Sequence, residues 1–161
     1  MFETVFGLPL HPLVVHAVVV FLPLASIAVL VAALWPKFRR WAGPLPLILA
    51  VVGTALVPVA TQSGEWFESA LTVQENPEVR THASLGDVML YWGIGLVIAA
   101  AAVYWLHLKT RSADSNRKPG QALVAGIVVL AAVASIGTLV HVYRVGESGA
   151  QAAWGFVTAD S

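Results

Sequence analysis

Long apolar runs alternate with short polar segments along this chain, and the lengths of the runs carry the first conclusion. The runs cover about 13–35, 44–63, 85–108 and 121–143. A helix needs roughly 20 apolar residues to cross a hydrocarbon core about 30 Å thick, and each run meets that length. The first, second and fourth hold no Asp, Glu, Lys or Arg, and the third holds only Asp87, near its start. Period-two alternation, the mark of a transmembrane barrel strand, is absent. Backbone groups in lipid must be satisfied within their own segment, so the runs predict helices. The predicted fold is all-α: an integral membrane four-helix up-down bundle, one domain over 1–161.

Prolines and glycines punctuate that pattern. Pro36 closes the first helix, Pro44 opens the second, and Pro119 with Gly120 breaks the chain before the fourth. Pro23 and Pro58 fall inside spans and predict local bends. Gly53, Gly86, Gly93, Gly95, Gly126 and Gly137 interrupt the spans, where small residues let helix backbones approach. Ser84 and Asp87 stand at capping-box-like spacing and predict a helix start there. Ser135 and Thr138 are expected to bond back to their own helix. The inner linker 111–118 reads as polar and flexible. No internal repeat is evident along the sequence.

The basic residues orient the bundle. Lys37, Arg39 and Arg40 in loop 36–43, with Lys109, Arg111, Arg117 and Lys118 in loop 109–120, are seven of the nine Lys and Arg residues. Both loops lie on one side of a four-span chain, and the positive-inside rule makes that side cytoplasmic. The N-terminus, the acidic loop 64–84 and the C-terminal tail then face out, so both termini are extracytoplasmic. Trp35, Trp41 and Trp105 fall at the inner interface, and Trp66 and Trp154 at the outer one. The predicted location is the bacterial plasma (inner) membrane. No Lys or Arg precedes the first apolar run, so that run is expected to remain in the mature protein.

Composition narrows the chemistry. Of 161 residues 58% are hydrophobic and 11% charged, the formal net charge is zero and there is no cysteine. Disulfides, thiolate metal sites, iron–sulfur ligation and c-type haem attachment are excluded. Zero net charge gives no field for nucleic acid. No nucleophile–base pair, phosphate loop or metalloprotease motif occurs, and no independent catalytic activity is expected.

Histidine is the residue left to carry chemistry. His11, His16, His82 and His141, four of the five histidines, all fall at the outer edge under this topology. His107 lies at the inner end of the third helix and stands apart. Neutral imidazole suits haem iron, copper or zinc. Two imidazoles on different helices can clamp a haem between them. The first and third helices are diagonal in an up-down bundle, which favours His16 and His82 as the axial pair of a haem b, with His141 next and His11 beside them. Three of the four could hold copper or zinc without a porphyrin. Gly86 and Gly93 on the third helix share a face with His82, and Gly126 and Gly137 stand on the fourth with His141. Such a stripe is a flat slot for a macrocycle or, more commonly, a helix contact. Glu65, on a face with Thr54 and Thr61, can orient a histidine from the second helix or can be a solvated carboxylate. An interfacial, hydrogen-bonded imidazole is the ordinary fate of any one histidine taken alone.

The stretch Gly7-Leu8-Pro9-Leu10-His11-Pro12-Leu13-Val14-Val15-His16 resembles the opening motif of a large bacterial group of uncharacterised predicted membrane proteins, a domain of unknown function with four helices and an H-P-x-x-V-H start. The segment 137–154, with Val142-Tyr143-Arg144 and Gly149-Ala150, is similar to that group's closing region. The resemblance covers nearly the whole chain and supports His11, Pro12 and His16 as signature positions. Some members carry a Rieske-type domain, which implies membrane electron transfer. Many members have Tyr near the place of His141 and a His nearer Tyr143, so this chain departs from the pattern there.

Three functions fit these residues: a haem- or metal-binding electron-transfer protein, a non-catalytic accessory or scaffold subunit of a larger membrane (respiratory) complex, and a small transporter. The expected surroundings are the lipid bilayer, with a larger redox complex or a homo-oligomer as partner. A transporter is least favoured, because no carboxylate is buried within the spans.

Overall fold

Every apolar run forms a helix, and the second, third and fourth helices pass well beyond their runs. The computed structural model describes residues 4–5, 7–71, 76–111 and 119–159. A short antiparallel hairpin of β1 (Thr4–Val5) and β2 (Leu8–Pro9) turns through Gly7 and leads into α1 (Leu10–Leu34). A short helix α2 (Pro36–Ala42) follows, then α3 (Leu45–Leu71), α4 (Pro77–Arg111) and α5 (Gln121–Ala159). Four of these, α1, α3, α4 and α5, are long and apolar enough to cross a membrane. The protein is a multi-pass membrane protein with an all-α bundle.

Three local expectations change. The segment 36–43, read as a loop, is a helix with Pro36 at its first position and Gly43 after it at φ 55°. The Arg39 guanidinium folds back and donates through Nη1 to the carbonyls of Ala32 at 3.2 Å and Ala33 at 3.4 Å, which end α1. The third span begins at Pro77, not near Ser84: the Asn76 side chain accepts from the Glu78 amide at 2.9 Å, with Pro77 at the first helical position. Ser84 bonds to Thr81 inside the helix instead of capping it. The fourth span continues through the tail to Ala159, and Pro23 and Pro58 lie inside unbroken helices. At 1.5 Å per residue, α4 is about 50 Å long and α5 about 60 Å, so both outrun the hydrocarbon core. The linker 112–118, with Arg117 and Lys118, lies outside the described residues.

The helices pack as a square. α1 lies against α3 and α5, α4 lies against the same two, and α1 touches α4 across the centre. Neighbours run antiparallel: Leu22 of α1 faces Gly53, Thr54 of α3 faces Gly93, and Trp92 of α4 faces Gly137. The core is Leu22, Val29, Leu96, Leu106 and a set of alanines that keeps the backbones close. Leu24, Ile27, Ile48, Ile94, Ile98, Val129 and Val133 point outward. An apolar perimeter suits lipid, since acyl chains replace the water that such a surface would otherwise expel.

The square is also a repeat, which the sequence alone does not betray. Buried positions Val18, Leu22, Ala25, Val29 and Ala32 of α1 correspond, 71 residues on, to buried Met89, Gly93, Leu96, Ala100 and Val103 of α4. Buried Pro46, Ala50, Gly53, Val57 and Ser63 of α3 correspond, 85 residues on, to buried Ala131, Ser135, Thr138, Val142 and Ser148 of α5. The pair α1–α3 and the pair α4–α5 are thus related by a pseudo-two-fold axis along the helices. Matching burial with few matching residue types is why the sequence shows no repeat.

Candidate histidine site

His11 and His82 occupy equivalent places about that axis. His11 starts α1 and His82 lies one turn into α4, so both stand at the end of the bundle opposite α2. Their rings approach across the centre, centroids 6.4 Å apart and planes at 79°. His11 donates from Nδ1 to the Ala60 carbonyl at 2.9 Å, and Ser63 Oγ bonds to the same carbonyl at 3.0 Å. His82 donates from Nδ1 to the Val145 carbonyl at 3.1 Å, and Ser148 Oγ bonds to that carbonyl at 2.9 Å. Each imidazole lies against a glycine one residue past its serine. A Cβ on Gly64 would meet His11 Cε1 at 3.0 Å, and one on Gly149 would meet His82 Cε1 at 3.0 Å. Phe67 stacks on His11 at 6.0 Å.

This arrangement sets the tautomer. A ring nitrogen facing a carbonyl must carry the proton, so both neutral rings keep their lone pair on Nε2. Ring orientation is fixed by helix backbone, and the glycines let the rings lie flat on the neighbouring helix.

The other predicted residues fall elsewhere. His16 is exposed and bonds through Nδ1 to the Pro12 carbonyl of its own helix, so His11 and not His16 approaches His82. His141 is buried and donates from Nε2 to the Leu85 carbonyl at 2.8 Å, its ring 6.4 Å from Trp92. His107 is buried at the opposite end, stacked on Tyr104. Glu65 is exposed and makes no hydrogen bond among the described residues. Thr138 donates to the Trp92 carbonyl of α4 at 3.4 Å, across helices, and Ser135 Oγ is buried without a hydrogen-bond partner among the described residues. Among the described residues no group of three or more His, Cys, Asp and Glu is placed to hold a metal ion.

At Gly93 and Gly137 the glycine stripe is helix packing, while Gly126 is exposed with nothing within 4 Å of its Cβ position. Gly93 is filled by Thr54, Gly137 by the Trp92 ring, and Gly64 and Gly149 by the two imidazoles. Ser63, Gly64, Ser148, Gly149 and Phe67 complete the site, and the sequence reading gave none of them a part in it. The signal for them was a Ser-Gly pair late in the second and again in the fourth helix, each opposite a histidine early in the first and third.

The model of one protein family, described as "Predicted membrane protein (DUF2231)", matches residues 7–161. No curated protein and no solved structure matches the chain.

Proposed function

The chain belongs to that family of predicted membrane proteins, and from this premise we propose that it is a small electron-transfer module holding a redox-active metal between His11 and His82. The observation that carries the reading is the matched pair of imidazoles. Each gives its Nδ1 proton to a backbone carbonyl and keeps Nε2 for a ligand. Metal-bound histidines characteristically donate their other ring N–H to a carbonyl or carboxylate, which fixes the tautomer and raises basicity. Two neutral imidazoles suit copper or haem iron. The packing at Gly64 and Gly149 favours a bare copper ion. A haem b, whose macrocycle is much wider than a bare ion, is the alternative centre for the same two imidazoles. Exposed Lys37, Arg40 and Lys109 at the other end support, by the positive-inside rule, a cytoplasmic side there and an outer-face histidine pair.

The test is metal analysis with a reduced-minus-oxidised visible spectrum on detergent-purified protein. Stoichiometric copper, lost in His11→Ala and in His82→Ala but kept in His16→Ala, is the expected result. A b-type absorption band with the same dependence would keep the ligand pair and change the metal centre. A folded protein that is colourless and metal-free, and takes up neither copper nor haemin when supplied, refutes the reading.

A second reading is a cofactor-free subunit of a larger membrane assembly. It is favoured by the closed packing in which His11, His82 and His141 each already have a carbonyl partner. Retention of the larger complex by an affinity-tagged copy in mild detergent tests it.

A further inference from the structure

At one place where the two halves of the bundle differ in chemistry, the second half carries a groove. Leu85, Val88 and Trp92 of α4 with Gly137, Val140, His141 and Arg144 of α5 line a space of about 450 Å³ on the bundle flank. That volume lies in the range of small-molecule sites. The equivalent positions of the first half are Val14, Ala17 and Phe21 with Val52, Ala55, Leu56 and Val59, all hydrocarbon. The second half therefore puts Gly for Val, His for Leu and Arg for Val along one helix face. Gly137 is needed for the close approach of Trp92, but the hydrocarbon side chains of the first half show that the repeat itself does not call for His141 or Arg144.

We propose that this groove binds a membrane-dissolved hydroquinone: a planar aromatic head bearing hydroxyls, with an apolar tail in the bilayer. His141 is 6% exposed, and its Nε2–H is committed to the Leu85 carbonyl at 2.8 Å. The neutral ring then presents Nδ1 as an acceptor, and Nδ1 has no hydrogen-bond partner among the described residues. An acceptor nitrogen at the wall of an apolar groove calls for a hydroxyl donor. The Trp92 ring crosses the α5 backbone at Gly137 so closely that a Cβ there would fall 1.9 Å from Cζ3. It supplies an aromatic wall, tilted 31° to the His141 ring, for a planar head to pack on. Arg144 stands one turn beyond His141, exposed and without an ion pair among the described residues. It supplies a donor for the oxygen substituents of the head. A groove on the flank is open to a ligand that arrives through lipid. This site is separate from the His11–His82 pair and does not depend on a metal there.

The probe is decylubiquinol, titrated calorimetrically into wild-type protein at fixed detergent concentration, with empty micelles as reference. Saturable binding beyond micelle partition is expected. His141→Leu and Arg144→Val install the first half's own residues. His141→Leu is expected to weaken binding at least about tenfold through loss of the acceptor. Arg144→Val should weaken it less. Val88→Phe fills the groove from an exposed position and should abolish binding, which keeps the test valid if His141→Leu is unstable. Circular dichroism confirms that each variant is folded. No saturable binding by the wild type, or binding unchanged in both His141→Leu and Val88→Phe, overturns the proposal. Saturable phosphatidylglycerol binding that Arg144→Val abolishes, without quinol binding, overturns it in favour of a lipid seat.

Discussion

Gly137→Ala is the sharpest test of the packing, because α5 carries its own control. A Cβ at Gly137 would lie 1.9, 2.4 and 2.6 Å from the Trp92 atoms Cζ3, Cη2 and Cε3. Carbon atoms in contact want about 3.5–4.0 Å, so the indole must retreat by roughly 1.5–2 Å. Overpacking of this kind costs about 1–3 kcal/mol. Gly126 lies on the same helix eleven residues earlier, exposed, with nothing within 4 Å of its Cβ position. Replacing either glycine by alanine gains the same helix propensity, about 1 kcal/mol in water. That gain cancels in the comparison, and Gly137→Ala should be less stable than Gly126→Ala by about 1–3 kcal/mol. Reversible unfolding in mixed micelles of rising dodecyl sulfate content, followed by far-ultraviolet circular dichroism, measures the difference. Coincident midpoints would refute the argument: the Trp92 ring would then not be held against α5.

Two further outcomes follow from the same geometry. Gly64→Ala and Gly149→Ala should be destabilising by similar amounts, about 1 kcal/mol each, because each pushes an imidazole off its carbonyl; unequal midpoints in the same titration would count against the pseudo-two-fold site. Arg39→Ala should destabilise by about 2 kcal/mol through loss of its charged bonds to the last carbonyls of α1, and Arg39→Lys by less, read from the same assay.

Span existence was legible in the residues, and span extent was not. Length and the lack of charge reveal a crossing, because lipid penalises any charged or unpaired group. The start of α4 and the end of α5 are polar enough to read as loop, yet Glu78 on α4 lies beside Gly155 on α5 and the helices continue together. α2 was missed for the opposite reason: Lys37, Arg39 and Arg40 look like solvated loop charge, while Arg39 is buried on the end of α1.

For the candidate site, the sequence sorted histidines by depth but not by angle around the helix. His11 and His16 are five residues apart, and on a helix of 3.6 residues per turn they point in different directions. Only packing shows that His11 faces the bundle and His16 faces out. The glycines left slot and helix contact open in the same way, since a missing side chain reads as space until Thr54, Trp92 or an imidazole is seen to fill it.

By itself the sequence determined the solvent and hence the class of fold: an 18-residue window too apolar for water, four times over, leaves helices as the only way to satisfy the backbone. The tertiary structure decided which side chains meet. Contact between α1 and α4 depends on alanine and glycine faces closing to short range, and that closure pairs His11 with His82 about the pseudo-two-fold axis. Residues 71 positions apart are joined by no local rule. Their pairing is a property of packed surfaces, where the fit of one helix against the next sets the register.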